Sequence, residues 1–445
     1  MNSLSLFLPC AAGVQDLLAA EVERITGCTP KAWRAGVSLP GSWRDALQLN
    51  LHSRLAQRVL VQLAQHGYRN EEDLYNAAAH VAWEQWFDPR QTFKVELTAQ
   101  HSPLQSLNFA TLRIKDAVAD RFRAKCRDQR PSVETRWPDA RIHAHLTTDT
   151  VSLLIDTSGE PLFKRGWRED KGDAPLKETL AAAMIAASRW ECEAGVPLYD
   201  PCCGSGTLLI EAAQIACHMA PGLQRRFGFE KLQPFQASVW HDMRAEAQSR
   251  ITAAVAPVFG SDVSFRMVDF AQRNAERAGV AHAVQIRGGD ALQRTPPASS
   301  GVMLLNPPYG ERIEVAGVAA PGGGRRGPHR FAAAAALERS VDEFGQPTGA
   351  ARSATGGRER AQTETGQQLD DFFERLAAHW KKHYGGWSAH VLTPDLKLPG
   401  KMRLRESRRV PMWNGPIECR LFRFDLVAGS ARKAPLSLSP GSARP

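Results

Sequence analysis

No stretch of this chain holds the roughly 20 consecutive apolar residues that cross a bilayer, and a membrane-embedded role is not expected. The first eight residues are briefly apolar but lack a basic start, so they read as a strand rather than a signal peptide. None of the 8 cysteines forms a Cys-x-x-Cys pair, which removes the commonest zinc spacing, and no metal is expected. Eight cysteines in 445 residues also make no disulfide framework. Cys202 and Cys203 flank a glycine-rich loop where a bridge would be awkward. A reducing, cytoplasmic location follows as the expectation.

What is present is a core-forming composition, 43% hydrophobic and 23% charged, long enough for two or three domains. The net charge of +9 and pI of about 9.3 favour a polyanionic partner, because Lys and Arg gain by releasing counterions from phosphates. Apolar spacing predicts a strand at 4–8, helices at 13–26 and 51–65, a strand from Thr92, a helix at 108–127 and strands at 141–146 and 149–155. Ile114, Ala117, Val118 and Phe122 turn inward on helix 108–127. Its outer face carries Arg113, Lys115, Arg121, Lys125 and neighbouring cations, which with Arg130 form the candidate RNA-binding face. An ordinary solvated helix face explains the same charges.

From about 175 the pattern becomes strand–helix alternation. Strands are predicted at 196–200, 257–262, 283–287, 302–305 and 387–393, with helices at 206–217, 265–278 and 368–383. Strands near 408–413 and 417–427 close around Asn414-Gly415, a hairpin signal. The fold class is α/β: a Rossmann-like, mostly parallel sheet ending in an antiparallel hairpin, preceded by an α+β module. Residues 217–257 read as an insertion packed outside that sheet. Residues 314–366, rich in Ala, Gly, Arg and Pro, read as a disordered insertion, and the segment after 428 as disordered too.

Four motifs carry chemistry. Asp200-Pro-Cys-Cys-Gly204-Ser205-Gly206-Thr207 ends a strand in a tight turn and opens a helix whose free N–H groups suit a carboxylate. This loop lacks the Gly-x-Gly-x-x-Gly spacing of dinucleotide sites and the Gly-Lys-Ser/Thr of P-loops. Asp262 ends the next predicted strand, where an acid accepts from ribose hydroxyls. Asp290 follows the strand after it, placed to accept from an adenine amino group, although alone it is an ordinary turn aspartate. The fourth motif is Asn306-Pro307-Pro308-Tyr309, directly after an apolar strand.

An exocyclic amine is a poor nucleophile, because its lone pair is delocalised into the ring. The Asn306 oxygen and the Pro307 carbonyl can accept both of its protons, favour a pyramidal nitrogen and aim the lone pair at a sulfonium methyl. Tandem prolines hold these acceptors in place, and Tyr309 offers a face for an extruded base. The expected cofactor is S-adenosylmethionine. These motifs alone leave guanine N2, adenine N6 and cytosine N4 open, in rRNA, in another RNA such as tRNA or in DNA, as well as a protein glutamine amide. A non-catalytic RNA-binding assembly factor with a vestigial site is a further alternative.

With these residues in view, the chain resembles the THUMP-domain 23S rRNA guanine-N2 methyltransferases (RlmL type) over about 4–313 and 367–427. Phe7-Leu-Pro-Cys-Ala-Ala-Gly-Val-Gln-Asp-Leu-Leu, Leu51-His-Ser-Arg-Leu-Ala-Gln-Arg-Val-Leu, Lys115-Asp-Ala-Val-Ala-Asp-Arg-Phe-Arg, Phe163-Lys-Arg-Gly-Trp-Arg and Ala174-Pro-Leu-Lys-Glu-Thr-Leu carry that likeness. So do Asn306-Pro-Pro-Tyr-Gly-Glu-Arg and Trp413-Asn-Gly-Pro-Ile-Glu-Cys-Arg-Leu. The resemblance implies a ferredoxin-like region at 1–50, a THUMP RNA-binding domain at 51–165 and a methyltransferase domain at 166–428. It implies guanine N2 as target and 23S rRNA or a large-subunit assembly intermediate as partner, with no obligate protein partner evident. Lys177 would lie against the cofactor, or simply on the surface of a first helical turn. Some relatives carry a second methyltransferase domain after this one; the chain shows none, so a second activity is not expected.

Overall fold

The computed structural model describes residues 3–172, 175–307 and 359–427, with side chains from 370 onward in the last stretch. Two sheets organise it. The first has eight strands in the order β2-β3-β1-β4-β8-β7-β5-β6: Lys31–Trp33, Gly36–Gly41, Leu4–Pro9, Leu60–Gly67, Thr150–Asp156, Ala140–Leu146, Thr92–Ala99 and Ser132–Val133. β4 pairs with β1 on one side and with β8 on the other, so the first 50 residues and the region that follows them share one sheet. Helices α1 (Gln15–Thr26), α2 (Trp43–His52), α3 (Glu71–His80) and α4 (Leu107–Lys125) belong to this half. Ser42 and Asp45 form a reciprocal capping box on α2, and the Asn70 side chain accepts from the Glu72 and Asp73 amides at the start of α3.

The helix expected at 51–65 is not there. α2 ends at His52, residues 53–59 are irregular, and 60–67 is β4. The reason is a buried carboxylate. Glu21 accepts from Ser53 Oγ at 2.6 Å, the Arg54 amide at 2.9 Å and the Leu55 amide at 3.3 Å, which diverts the backbone from helix. The chain then enters the gap between β1 and β8. Tertiary pairing overrides the apolar spacing.

The second sheet has the order β11-β10-β9-β12-β13-β15-β14. β9 is Leu198–Asp200, β10 Val258–Asp262, β11 Val284–Gly288, β12 Gly301–Leu305 and β13 Trp387–Thr393, all parallel. β14 (Arg408–Asn414) and β15 (Ile417–Asp425) add the antiparallel hairpin, with Gly415 at φ 62° beside Pro416 in its two-residue loop. Helices α5 (Glu178–Ser188), α6 (Thr207–Ala216), α7 (Ala237–Ser249), α8 (Phe265–Arg277) and α9 (Glu359–His383) accompany these strands. α9 opens before residue 366, so the end of the expected disordered insertion is helical. The remainder of that insertion, and the segment after 428, lie outside the described residues. Strand order reverses between β9 and β12, the position where open α/β sheets place their ligands.

Residues 217–257 knit the two halves together. Phe227, Phe229 and Trp240 stack among themselves, with ring centroids 4.9–5.5 Å apart. Arg225 donates to the carbonyls of Ser158, Glu160, Pro161 and Lys164. Glu211 on α6 is fully buried and receives Arg54 at 3.1 Å and Arg165 at 3.0 Å, an ion triad spanning both sheets. Among the described residues no helix is long and apolar enough to cross a membrane.

Candidate active site

β9, β10 and β12 emerge at one edge because their ladders run parallel; Tyr199 is paired with Phe259 and with Met303. The glycine turn follows β9. Asp200 accepts from the Cys202 amide at 3.0 Å, Cys203 donates to the Ser261 carbonyl at 2.9 Å, and the Gly204 amide donates to Asp262 at 2.9 Å. The two glycines serve different ends. At Gly204, φ is 52° and a Cβ would meet nothing within 4 Å, so the backbone faces open space. At Gly206, φ is 88° and a Cβ would lie 3.0 Å from that of Ala271, so this glycine lets α6 and α8 approach each other.

Asp262 also accepts from the Ser264 amide at 2.9 Å, fixing the entry to α8. A carboxylate has about four lone-pair sites, so two amide donors leave room for further hydroxyls. Beside it Phe265 is 84% exposed, its ring edge 3.1 Å from where a Cβ on Gly288 would sit. An aromatic that open, next to a glycine, makes a shelf for a flat ring. Asp290 accepts from the Leu292 amide at 2.9 Å beyond β11. Sequence reasoning missed Phe265, although its place three residues after Asp262 was a usable signal.

The floor is acidic. Burial, then the charge of Asp262, pushes the Asp200 carboxyl up to about 8, against the Cys202 amide that favours its anion. Burial and the same carboxylates push the thiols of Cys202 and Cys203 well above their ordinary range, so both stay neutral. The site favours a cationic guest.

β12 is wholly buried and delivers Asn306 and Pro307. The Asn306 Oδ1 is buried and has no hydrogen-bond partner among the described residues. A buried acceptor without a partner costs about 1–3 kcal/mol, which is how a site holds an acceptor ready for a donor on its substrate. Pro308 and Tyr309 lie outside the described residues.

Arg168 was missed as a site residue. Its guanidinium donates to Glu178 at 2.8 Å, Thr207 Oγ1 at 2.7 Å, Ser205 Oγ at 3.3 Å and the Leu176 carbonyl at 3.2 Å. It thereby ties the turn and the first residue of α6 to the start of α5. Asn274 adds a donor to the Ser205 carbonyl at 3.0 Å. Spacing along the chain gives no hint of Arg168, which precedes Ser205 by 37 positions. Lys177 directly precedes α5 without capping it through its side chain, and its ammonium lies over the Phe163 ring, 5.2 Å from the centroid.

The expected RNA-facing cations are spread along α4 and beyond its end. Arg113 pairs with Glu72 and lies 4.5 Å over Tyr75; Lys115 pairs with Asp116 at 3.0 Å, and Arg121 with Glu84 at 2.6 Å. Lys125 and Arg130 are exposed.

Comparison with known proteins places these features. Residues 5–60 match the RlmL ferredoxin-like domain, 68–156 the THUMP domain, and 165–319 the RMKL-like methyltransferase domain. A "Ribosomal RNA large subunit methyltransferase K/L" from Shewanella sp. (strain W3-18-1) is 33% identical over 97% of this chain and 54% of its own length. The chain thus spans about half the length of the curated relatives it matches. A solved structure described as a predicted N6-adenine-specific DNA methylase from Listeria monocytogenes is 25% identical at TM-score 0.76, covering 96% of this chain and 97% of that one. A protein solved in complex with SAH shares the fold at TM-score 0.77 and 23% identity, covering 97% of this chain and 100% of that one. The chain therefore carries, in order, an RlmL ferredoxin-like domain, a THUMP domain and an RMKL-like methyltransferase domain on an α/β fold.

Proposed function

We propose that this chain methylates N2 of a guanine in 23S rRNA, with S-adenosylmethionine as donor, in the cytoplasm. One observation carries the reading: a buried Asn306 Oδ1, without a hydrogen-bond partner among the described residues, at the strand end beside an open glycine turn and an acidic floor. The cofactor supplies an electrophilic methyl on a sulfonium. The residues present suit it. Gly204 leaves open space at the turn, Gly206, Ser205 and Thr207 open α6 toward a carboxylate, Asp262 has acceptor sites left for ribose, and Phe265 with Asp290 flanks a flat heterocycle.

The chain's own part is positioning. Asn306 Oδ1 and the Pro307 carbonyl accept the two amine protons and turn the lone pair out of conjugation. Pro308 stiffens that cradle and Tyr309 stacks on the base, roles assigned from sequence. Holding nucleophile and methyl in line supplies much of the acceleration. No strong base is needed before attack, since the nitrogen becomes acidic only once methylated and sheds its proton afterwards. Of the expected cations, the exposed Lys125 and Arg130 hold the RNA phosphates, while Arg113, Lys115 and Arg121, each already paired with a carboxylate, add little.

Adenine N6 suits the same cradle, and the Listeria relative is described as a predicted N6-adenine-specific DNA methylase. The THUMP domain and the relatives named for the large ribosomal RNA favour rRNA. The test is gene deletion followed by mass-spectrometric mapping of methylated nucleotides. Loss of one 23S N2-methylguanine, restored by the wild-type gene but not by Asn306→Ala, is expected. An unchanged 23S profile overturns the proposal, and loss of a tRNA or DNA mark would redirect it.

A further inference from the structure

The loop between β6 and β7 is held at both ends on the first two residues of β5. The Glu134 amide donates to the Phe93 carbonyl and the Asp139 amide to the Thr92 carbonyl, each at 3.1 Å. Between these anchors the Glu134 carboxylate accepts from the Arg136 amide at 2.7 Å. Amides of Arg136, Trp137 and Thr135 hold that carboxyl below its usual range. The turn is therefore built around its own acid, with Pro138 fixing the next φ. It projects Trp137 into solvent at 66% exposure, the indole making no hydrogen bond among the described residues.

Four cations lie near it along the chain. Lys125 ends α4, Arg127 and Arg130 lie in the connection to β6, and Arg136 precedes the indole. All four are exposed, and none has a carboxylate within ion-pair distance among the described residues, unlike Arg113, Lys115 and Arg121 higher on α4. An exposed, outward aromatic on an anchored turn, with exposed cations before it in the chain, matches single-stranded nucleic acid, whose bases stack on the ring while phosphates meet the charges. A duplex keeps its base faces occupied and offers such a ring nothing to stack on.

We propose that Trp137 is a stacking platform for an unpaired nucleotide of the RNA, with Lys125, Arg127, Arg130 and Arg136 holding the phosphates on either side. The platform rests on the RNA reading given above, and it directs the THUMP half toward a single-stranded junction or loop.

Fluorescence anisotropy on the full chain tests it, with a labelled oligoadenylate of about 12 nucleotides and a blunt RNA duplex of about 16 base pairs. Trp137→Ala should weaken the single strand about 5- to 100-fold. Its duplex affinity and salt slope should stay as in wild type. Trp137→Phe should recover most of the loss, and Arg136→Ala should lower the salt slope by about one. Equal binding of the single strand by wild type and Trp137→Ala, or equal weakening on both probes, overturns the platform while leaving the RNA reading standing. A wild-type chain that binds neither probe overturns the RNA reading and the platform with it. A Trp137→Ala effect confined to self-association in sedimentation would assign the ring to a protein contact instead.

Discussion

Helix α4 and the edge where β9, β10 and β12 end are both dense in polar groups, and they treat them in opposite ways. On α4, Arg113, Lys115 and Arg121 each meet a carboxylate. At the strand edge, Asn306 Oδ1 has no partner among the described residues, and Asp200 is buried beside Asp262, where burial and that charge favour its neutral form. Satisfied groups stabilise a scaffold; unsatisfied buried ones await a ligand. The contrast predicts where substitution will cost activity and where it will cost almost nothing.

Asn306→Ala should have the largest effect, lowering kcat about 10²- to 10³-fold, as loss of one preorganised polar contact to the reacting group does. Cofactor affinity by calorimetry should hardly change. Undiminished turnover would erase the contrast at its sharper end. Arg168→Met should come next. It strips donors from Ser205 and Thr207 and leaves Glu178 buried with its charge uncompensated. A loss of about 2–3 kcal/mol in stability, visible as a lower Tm, should accompany weaker cofactor binding. Adding Glu178→Gln should restore Tm but not affinity, separating the structural role from the positioning one.

The third prediction uses Asp200. Its folded-state pKa of about 8 lies above the unfolded value near 4, so the native state holds the extra proton between those limits, and stability falls as pH rises through them. A cationic ligand favours the ionised form. Binding should therefore release a proton below pH 8, tighten as pH rises toward 8 and level off above it. Calorimetry in buffers of different ionisation enthalpy measures that release, which Asp200→Asn should abolish.

How far the sequence reached follows from the range of the forces involved. The strand ends and turns that carry Asp200, Gly204, Asp262, Asp290 and Asn306 were legible because strand and turn signals are local, within a few residues of one another. The helix spacing over 51–65 misled because Glu21, more than thirty positions away, captures the backbone at 53–55. Arg168 was invisible for the same reason. Its partners at 205 and 207 approach only once α5 and α6 pack together. The neutralisation of α4 was likewise hidden, since Glu72 and Glu84 come from other elements.

The smallest expected effect probes that neutralisation directly. Arg113 already spends its charge on Glu72 and its flat face on Tyr75. Arg113→Ala should thus weaken RNA by less than about 0.5 kcal/mol, the scale of a half-exposed pair. Glu72→Gln should do the reverse. It frees the guanidinium without moving it, because Tyr75 still supports the ring plane, and RNA affinity should rise slightly with a steeper salt dependence. Filter binding across a salt series resolves a slope change of a fraction of one. A large loss in Arg113→Ala would mean that the RNA displaces Glu72 on binding, and α4 would then belong with the strand edge, among the groups that wait for a ligand.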